Sequence, residues 1–496
     1  MGKRLFDLTS SSIQNLVKMA NFAIILLEKW QKKSIITLEK RKTMLKRKIE
    51  RYLVDFFKKS KKSLLITGAR QIGKTFSIRE YGKNNFYSFV EINFIDMPEA
   101  KELIKNANSS KDILLRLSAL SNSRLKPGHT LIFFDEVQEC PEIVTAIKFL
   151  VDEGSYKYIL SGSMLGVELQ DIRSIPVGYM SIKEMFPLDF EEFLTAIGID
   201  DKIITTIKKS WEEKIPVDEV LHKRLMQIFR LYLIVGGMPD AVNAYIKTNN
   251  LQNVFDAQND ILQLYKKDIA KYDKDNKLYI DEIFQLIPPE LNAKNKRFIL
   301  KNMNENRKFS YLENSFLWLR DAGVALPVYN VEEPKMPLLL SRSRSLFKLF
   351  QYDVGLLAAQ YAKNIQIRIL NDEKDINFGA IYENVVAQEL RAHGFELYYY
   401  NNKRHGELDF LIESDDNVLP IEVKSGKNYA LHRALSNIME ISDYNLKEAL
   451  VLCNDNLLIK NKIYYVPIYM VMFIQKNTTM DFVYKIDTDA INQLSK

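Results

Sequence analysis

The chain has 496 residues, of which 47% are hydrophobic and 27% are charged. This composition is typical of a soluble protein with packed cores, and it excludes a wholly disordered chain, a fibrous repeat and a small disulfide scaffold. The net charge of +7 is uneven, because residues 1–62 hold 17 basic and five acidic residues while the remainder is slightly acidic.

The length favours about three domains. Only two cysteines occur, Cys140 and Cys453, which indicates a reducing compartment and gives neither a disulfide framework nor a cysteine-rich zinc site. Since no stretch of about 18 apolar residues exists, we expect no membrane-spanning helix, no membrane partner and a cytoplasmic location.

Residues 1–43 are predicted to form a basic helical extension, and a true start at Met44 is left open. The basic residues could touch nucleic acid or an acidic partner, but a solvated helix face is the favoured interpretation.

Short apolar runs alternate with helical patterns between residues 44 and 198. The runs begin near Leu64, Phe89, Thr130 and Tyr158. Each is typical of a buried strand in a parallel sheet, with helices between the strands. We therefore predict an α/β parallel-sheet domain over residues 44–198.

The remaining chain divides into two further predicted regions. Residues 199–370 carry long helical patterns broken at Gly236-Gly237 and Pro288-Pro289, with a helix that turns into a strand between Ser310 and Tyr329; a winged-helix-like module is the expectation. Residues 371–496 predict a helix at Ile381–Ala392 followed by strands, which again indicates an α/β domain.

A phosphate-binding loop is the strongest motif. The sequence matches G-x-x-x-x-G-K-[ST] in full, after an apolar strand and before a helix. Its backbone N–H groups and the helix N-terminus favour the phosphates of ATP, Lys74 adds a point charge, and the Thr75 hydroxyl is a ligand for Mg²⁺. The predicted nucleotide-binding residues of the loop are Gly68, Ala69, Arg70, Gln71, Ile72, Gly73, Lys74 and Thr75.

A second apolar strand ends in two acids about 60 residues later. Asp135 is predicted to hold Mg²⁺ beside the phosphates, and Glu136 to polarise the attacking water. The next strand ends in Ser161-Gly162-Ser163, where Ser163 is preferred over Ser161 as a hydroxyl that senses the γ-phosphate; a plain Ser-Gly turn is an equal alternative.

Four charged residues near the C-terminus form two pairs, and the members of each pair are two positions apart. Glu407 and Asp409 point to one face of a predicted strand, as do Glu422 and Lys424 on the next. The polar turn Ser414–Asn417 folds these strands into a hairpin, which brings the charged side chains together. A half-exposed hairpin without chemistry is the alternative from spacing alone.

In combination and order, these motifs resemble a known family. Over residues 44–440 the chain is similar to bacterial and archaeal AAA-like P-loop ATPases whose C-terminal half is catalogued as a domain of unknown function and is similar to restriction endonucleases. Beside the motifs above, the pieces are Phe134–Gln138, Phe186–Phe193, Gly236–Pro239, Gly379–Glu383, Glu407–Asp409 and Glu422–Lys424.

The resemblance implies a Mg²⁺-dependent nuclease-like site. In it, Glu383, Asp409 and Glu422 would bind the metal with oxygen ligands, and Lys424 would orient or deprotonate a water beside a scissile phosphate. Many relatives carry Gly-Arg where this chain has Gly178-Tyr179, which puts an arginine acting on a neighbouring subunit in doubt; Arg173 and Arg230 are unranked substitutes.

The expectation is therefore an ATP-binding and ATP-hydrolysing enzyme with ATP and Mg²⁺ as cofactors, DNA as its candidate partner, and self-association into a homo-oligomer left open. The alternative is a nucleotide-dependent switch whose C-terminal domain is a non-catalytic binding module.

Overall fold

The computed structural model describes residues 45–107, 109–120, 125–162, 176, 178–272, 277–293, 309–373, 378–426, 428–476 and 486. The chain divides into two compact units, Met1–Lys46 and Arg47–Lys496. Of the first unit only Leu45 and Lys46 are described, so the predicted extension over residues 1–43 lies outside the described residues.

A five-stranded parallel sheet organises the first part of the second unit. Its strand order is β2-β3-β4-β1-β5, and every pairing is parallel. Parallel neighbours need crossover connections, which helices supply between β1 and β2, between β2 and β3, and between β3 and β4. The elements in chain order are α1 (Lys48–Lys59), β1 (Ser63–Thr67), α2 (Lys74–Asn85), β2 (Ser88–Asn93), α3 (Pro98–Lys105), α4 (Ser110–Leu120), β3 (Thr130–Asp135), α5 (Pro141–Glu153), β4 (Lys157–Ser161), β5 (Met180–Glu184) and α6 (Phe190–Ala196).

Four of these strands coincide with the predicted apolar runs, and β3 is buried along its whole length. The fifth, β5, escaped prediction because polar residues alternate with Ile182, whose side chain is 52% exposed at the sheet edge.

A helical region follows. Its elements are α7 (Asp201–Glu213), α8 (Glu219–Val235), α9 (Pro239–Thr248), α10 (Leu251–Tyr272), α11 (Lys277–Asn292) and α12 (Phe309–Asp321). The predicted break at Gly236-Gly237 lies between α8 and α9, and Pro239 occupies the first turn of α9. The predicted break at Pro288-Pro289 is wrong: both prolines lie inside the last turns of α11, which ends at Asn292, where the Asn292 side chain donates to the carbonyl of Pro288.

An eight-stranded mixed sheet forms the last part, in the order β12-β13-β11-β10-β9-β8-β6-β7. Its elements, with the helices around it, are β6 (Ala325–Val331), β7 (Arg342–Gln351), α13 (Val354–Ala359), α14 (Lys363–Leu370), α15 (Gly379–Ala392), β8 (Tyr398–Asn402), β9 (Gly406–Ser414), β10 (Asn417–Val423), α16 (Arg433–Met439), β11 (Ala449–Cys453), β12 (Leu458–Lys460) and β13 (Ile463–Pro467).

Strands β6 and β7 form an antiparallel hairpin directly after α12, the helix-and-hairpin order expected of a winged-helix-like module. The hairpin does not stand alone, because β6 also pairs in parallel with β8 through Tyr329 to Val331. The last sheet therefore takes strands from both sides of the predicted boundary between residues 370 and 371.

The predicted hairpin of the C-terminal region is confirmed. Strands β9 and β10 pair antiparallel, with Ile421 opposite Phe410, and the chain turns at Asp415 in the left-handed conformation. Within the described part of the chain, no helix is both long and apolar enough to cross a membrane.

Candidate functional site

The phosphate-binding loop joins β1 to α2 and wraps as its glycines allow. Gly68, Gly73 and Gln71 all have positive φ, at 129°, 89° and 63°. A side chain at Gly68 would overlap the carbonyl oxygen of Met185, so the loop can take this path only with glycine there. The loop thus has the curvature that turns backbone N–H groups toward an anion.

Lys74 lies at the start of α2, and its side chain folds back over the loop. Its Nζ donates to the carbonyl oxygens of Gly68 at 2.9 Å and Ala69 at 2.7 Å. Burial lowers the pKa of Lys74 to about 8, against the opposing attraction of Glu136 and Asp135. The ammonium is therefore held on the loop where the motif needs it.

Asp135 ends β3 and is brought to the threonine of the loop. Its Oδ2 accepts a hydrogen bond from Thr75 Oγ1 at 2.8 Å, and its Oδ1 accepts from the Ser161 hydroxyl and from the backbone N–H of Glu136 at 3.1 Å. Burial raises the pKa of Asp135. A hydroxyl and a carboxylate side by side are hard oxygen donors, so this pair fits Mg²⁺.

Glu136 follows in the left-handed conformation, with a φ of 54°. Its Oε2 accepts a hydrogen bond from Gln138 Nε2 at 2.5 Å. The strained backbone turns the two neighbouring acids in different directions: Asp135 toward Thr75, and Glu136 toward Gln138.

The predicted sensor Ser163 lies outside the described residues, and so does Arg173. Ser161, the serine ranked second, instead contacts Asp135. Asn93, at the end of β2, was not predicted and reaches the same carboxylate, with Nδ2 at 3.3 Å from Asp135 Oδ2. Arg230 pairs with Asp372 at 2.9 Å.

Residues of the helical region contact the phosphate-binding loop. The sequence analysis did not predict these contacts. Arg70 forms an ion pair with Asp268 of α10. Gly323, in the turn after α12, packs so closely that a side chain there would meet the backbone of Ala69. The loop is thus in contact with residues more than 190 positions away in the chain.

Arg47 connects the loop to α6. Its guanidinium donates to the carbonyl oxygens of Ile72 at 2.8 Å and Phe186 at 2.6 Å, and its Nε lies 3.2 Å from Glu192 Oε1. The side chain is 5% exposed, so this ion pair is shielded from water and screened little by salt.

Helix α6 begins with a capping box in which Asp189 and Glu192 bond each other's backbone N–H groups. Its first residue, Phe190, donates its backbone N–H to Glu389 Oε1 of α15 at 2.9 Å. Tyr232 of α8 donates to the same oxygen at 3.0 Å. The motif Phe186–Phe193, which had no assigned chemistry, therefore joins the five-stranded sheet to the C-terminal region.

The Gly236-Gly237 bend makes a second connection, between the segment before α6 and Asp353. Leu188 donates to the carbonyl of Gly237 at 2.7 Å, and Gly237 donates to Asp353 Oδ2 at 2.6 Å. A side chain at Gly237 would overlap the backbone of Leu188, which explains why the bend uses glycine.

The structure brings the predicted C-terminal residues together. Val423 donates its backbone N–H to Asp409 Oδ2 at 2.9 Å, and Lys424 Nζ lies 2.6 Å from Glu422 Oε1. Burial and the nearby Asp409 raise the pKa of Glu422 to about 8. Glu383 lies on α15, which packs against β10 and β7.

A lysine that the sequence analysis did not single out lies among these acids. Lys348 of β7 is completely buried, with Nζ at 2.7 Å from Glu407 Oε1, 3.9 Å from Glu383 Oε2 and 4.0 Å from Asp409 Oδ1. Burial opposes the charged form, but Glu383, Asp409 and Glu407 outweigh it and raise the pKa of Lys348. One signal existed: a single lysine within an apolar strand indicates a buried, paired charge.

The donor set does not fit a divalent metal in this arrangement. Among the described residues, no group of three or more His, Cys, Asp or Glu side chains is placed to hold a metal ion. The assignment of Glu383, Asp409 and Glu422 as metal ligands stays a prediction from the sequence.

Three family models match the chain. An AAA domain covers residues 60–194, and two domains of unknown function, DUF8612 and DUF4143, cover residues 226–366 and 378–471. The match over residues 60–194 supports the predicted AAA-like P-loop ATPase. The C-terminal match confirms a domain of unknown function, while its resemblance to restriction endonucleases stays a prediction.

Solved structures give distant similarities. A Walker-type ATPase of Pyrococcus abyssi is 14% identical with a TM-score of 0.38, covering 64% of this chain and 96% of that one. The ORC1 protein of Aeropyrum pernix in complex with DNA is 11% identical with a TM-score of 0.26, covering 63% and 87%. A single-residue variant of RuvB from Thermotoga maritima is 11% identical with a TM-score of 0.26, covering 56% and 83%. No curated protein matches.

Proposed function

We propose that the protein is a Mg²⁺-dependent ATPase that acts as a nucleotide-dependent switch. The observation that carries this proposal is the hydrogen bond of 2.8 Å between Thr75 and Asp135, beside a complete phosphate-binding loop. It supports Thr75 and Asp135 as the residues that would hold Mg²⁺, which when bound neutralises charge on the phosphate oxygens. The two free, buried cysteines are consistent with a cytoplasmic setting.

Each residue of the site has a separate role in binding and hydrolysis. Lys74 exchanges its bonds to Gly68 and Ala69 for phosphate oxygens, and the loop N–H groups orient the triphosphate. Glu136 takes the proton of the attacking water once its carboxylate leaves Gln138. Ser161 and Asn93 hold Asp135 in place through its two oxygens.

The first experiment separates ATP binding from turnover in Glu136→Gln. We expect this variant to bind ATP with Mg²⁺ like the wild type while turnover falls at least about 100-fold, the usual loss for a general base. Glu139→Gln is the matched control, because Glu139 lies three residues on and pairs with Lys101 at the surface. Absence of ATP binding by the wild type in the presence of Mg²⁺ would refute the proposal.

The proposal that the protein acts as a switch rests on a continuous set of buried contacts. From the carbonyl of Ile72 they pass through Arg47 to Glu192, along α6 to Phe190, and on to Glu389 of α15. The same helix carries Glu383 toward the C-terminal acids. A rearrangement of the loop on nucleotide binding would reach α15 through these packed contacts, and the coupling between the two can be measured.

Hydrogen exchange measures that coupling. A non-hydrolysable ATP analogue should change amide protection in α15 of the wild type, and this change should shrink in Arg47→Met, which keeps the length of the side chain but not its charge. Arg51→Met is the control, because Arg51 lies in α1, the helix that begins directly after Arg47, and is exposed. An unchanged α15 response in Arg47→Met would contradict the route.

A second candidate, Mg²⁺-dependent cleavage of DNA, is suggested by the sequence motif of Asp409, Glu422 and Lys424 around the β9–β10 hairpin, against the misfit of these acids to a divalent metal in the described structure. Lys424 would then orient the water, with Glu383 completing the acidic set. Incubation of DNA with the full chain and Mg²⁺ tests it: cleavage that disappears in Lys424→Ala supports a nuclease, and intact DNA alongside ATP turnover supports the switch.

A further inference from the structure

The acidic cluster of the C-terminal region already contains a cation. Lys348 Nζ is within 4.0 Å of oxygens of Glu383, Glu407 and Asp409, and its closest approach is 2.7 Å to Glu407. The lysine side chain has no exposed surface, and its Nζ lies 5.0 Å from the centre of the Tyr399 ring. An ammonium group with no access to water is retained only where acids compensate its charge.

Three other carboxylate oxygens of the cluster have donors of their own, whereas Glu422 Oε2 is buried without a hydrogen-bond partner among the described residues. Asp409 Oδ2 accepts from Val423 N–H, Glu407 Oε2 accepts from the Asn401 amide, and Glu422 Oε1 is bonded to Lys424. A metal ion would have to compete with each of these donors for its ligands.

A divalent ion also cannot simply be added. Its ligands would sit at roughly 2.0–2.6 Å, so an ion shared by Glu383 and Asp409 would lie beside the ammonium that those two carboxylates already flank. A divalent cation and the Lys348 ammonium, lying next to each other, would repel strongly in a buried site. Expelling Lys348 instead would leave it without partners in the interior, because it belongs to a paired strand and cannot swing into water.

We propose that Lys348 is the resident cation of this cluster and that the C-terminal domain holds its acidic residues together without a divalent metal. Lys348 ties β7 to β9 and to α15, where a metal would otherwise have joined the same elements. This inference is independent of ATP hydrolysis, and it favours a non-catalytic C-terminal domain over a nuclease.

Manganese binding to the nucleotide-free full chain tests the proposal, with free Mn²⁺ followed by electron paramagnetic resonance. We expect the wild type and Asp409→Asn to bind Mn²⁺ equally weakly, as should the control Asp416→Asn on the exposed turn of the same hairpin. A wild-type affinity about tenfold or more above that of Asp409→Asn would overturn the proposal. No nucleotide is present, so this result is separate from failure of the ATPase.

Two further measurements keep the proposal testable if Asp409→Asn does not fold. The thermal midpoint of the wild type should rise with Mn²⁺ no more than that of Asp409→Asn, whereas metal binding at the cluster in the folded state would raise the wild-type midpoint further. Lys348→Met, which removes the resident charge, should acquire a Mn²⁺ site that disappears in the double variant with Asp409→Asn. A midpoint of the wild type that rises with Mn²⁺, and does not rise in Asp409→Asn, would also overturn the proposal.

Discussion

Asp353 is buried completely while both of its oxygens accept backbone hydrogen bonds, from Gly237 at 2.6 Å and Leu356 at 3.0 Å. Burial raises the pKa of its carboxyl to about 6, in spite of these hydrogen bonds. The folded state therefore holds this proton more tightly than the unfolded chain, whose aspartates titrate near 3.8. The resulting stability is present below about pH 4 and is lost as the pH rises through about 6.

We predict that this loss disappears in Asp353→Asn, whose side chain does not titrate. The stability advantage of the wild type over the variant should shrink by about 1 kcal/mol between pH 5 and pH 7, as measured by urea unfolding at both pH values. Asp372→Asn is the control, because Asp372 is half exposed. An advantage that does not change with pH would show that Asp353 titrates normally.

Glu389 offers a second prediction at the level of one side chain. Burial, reinforced by Asp189, raises its pKa well above the ordinary value, so this site favours the neutral carboxyl. Glu389→Gln should therefore change the free energy of unfolding by less than about 1 kcal/mol. Glu389→Ala leaves Phe190 N–H without its acceptor, while the Tyr232 hydroxyl keeps the carbonyl of Leu188 at 2.7 Å, and the change should cost about 1–3 kcal/mol. Equal losses in the two variants at pH 7 would mean that the charged form is the one bound.

At the scale of elements, the Gly236-Gly237 bend sets how α8 and α9 meet the ATPase sheet. We predict that Gly237→Ala costs about 1–3 kcal/mol in urea unfolding, because the added methyl group would overlap the backbone of Leu188. Gly426→Ala is the matched control: it meets nothing within 4 Å and should stay within about 0.5 kcal/mol. Equal stabilities of the two variants would mean that the bend relaxes at no cost.

The sequence predicts those elements whose burial produces a recognisable pattern of neighbouring residues. Continuous apolar runs identified β1 to β4, and the charge spacing around Asp409 and Glu422 identified the β9–β10 hairpin. Strand β5 was missed because it lies at an edge with a polar pattern. The position of Lys348 was missed for a different reason: its partner Glu407 lies 59 residues away on another strand, and pairing between distant strands leaves no local signal.

At the scale of the whole molecule, the contacts from the loop to α15 predict a shared response to ligand. A non-hydrolysable ATP analogue at about 100 times its Kd should stabilise the folded chain by about 2.7 kcal/mol. Because the buried contacts cross from one sheet to the other, amides of β11 should gain protection from hydrogen exchange together with those of β3. Protection confined to β3 would mean that the two sheets open independently.

The membership of β6 and β7 in the last sheet limits how the chain can be divided. A fragment beginning at residue 371 would lack both strands, leaving β8 with an unpaired edge. It would also lack the ammonium of Lys348, so Glu383, Glu407 and Asp409 would repel one another in its interior. A truncated C-terminal piece that aggregates, or that binds metal ions avidly, would report on the cut and not on the intact protein.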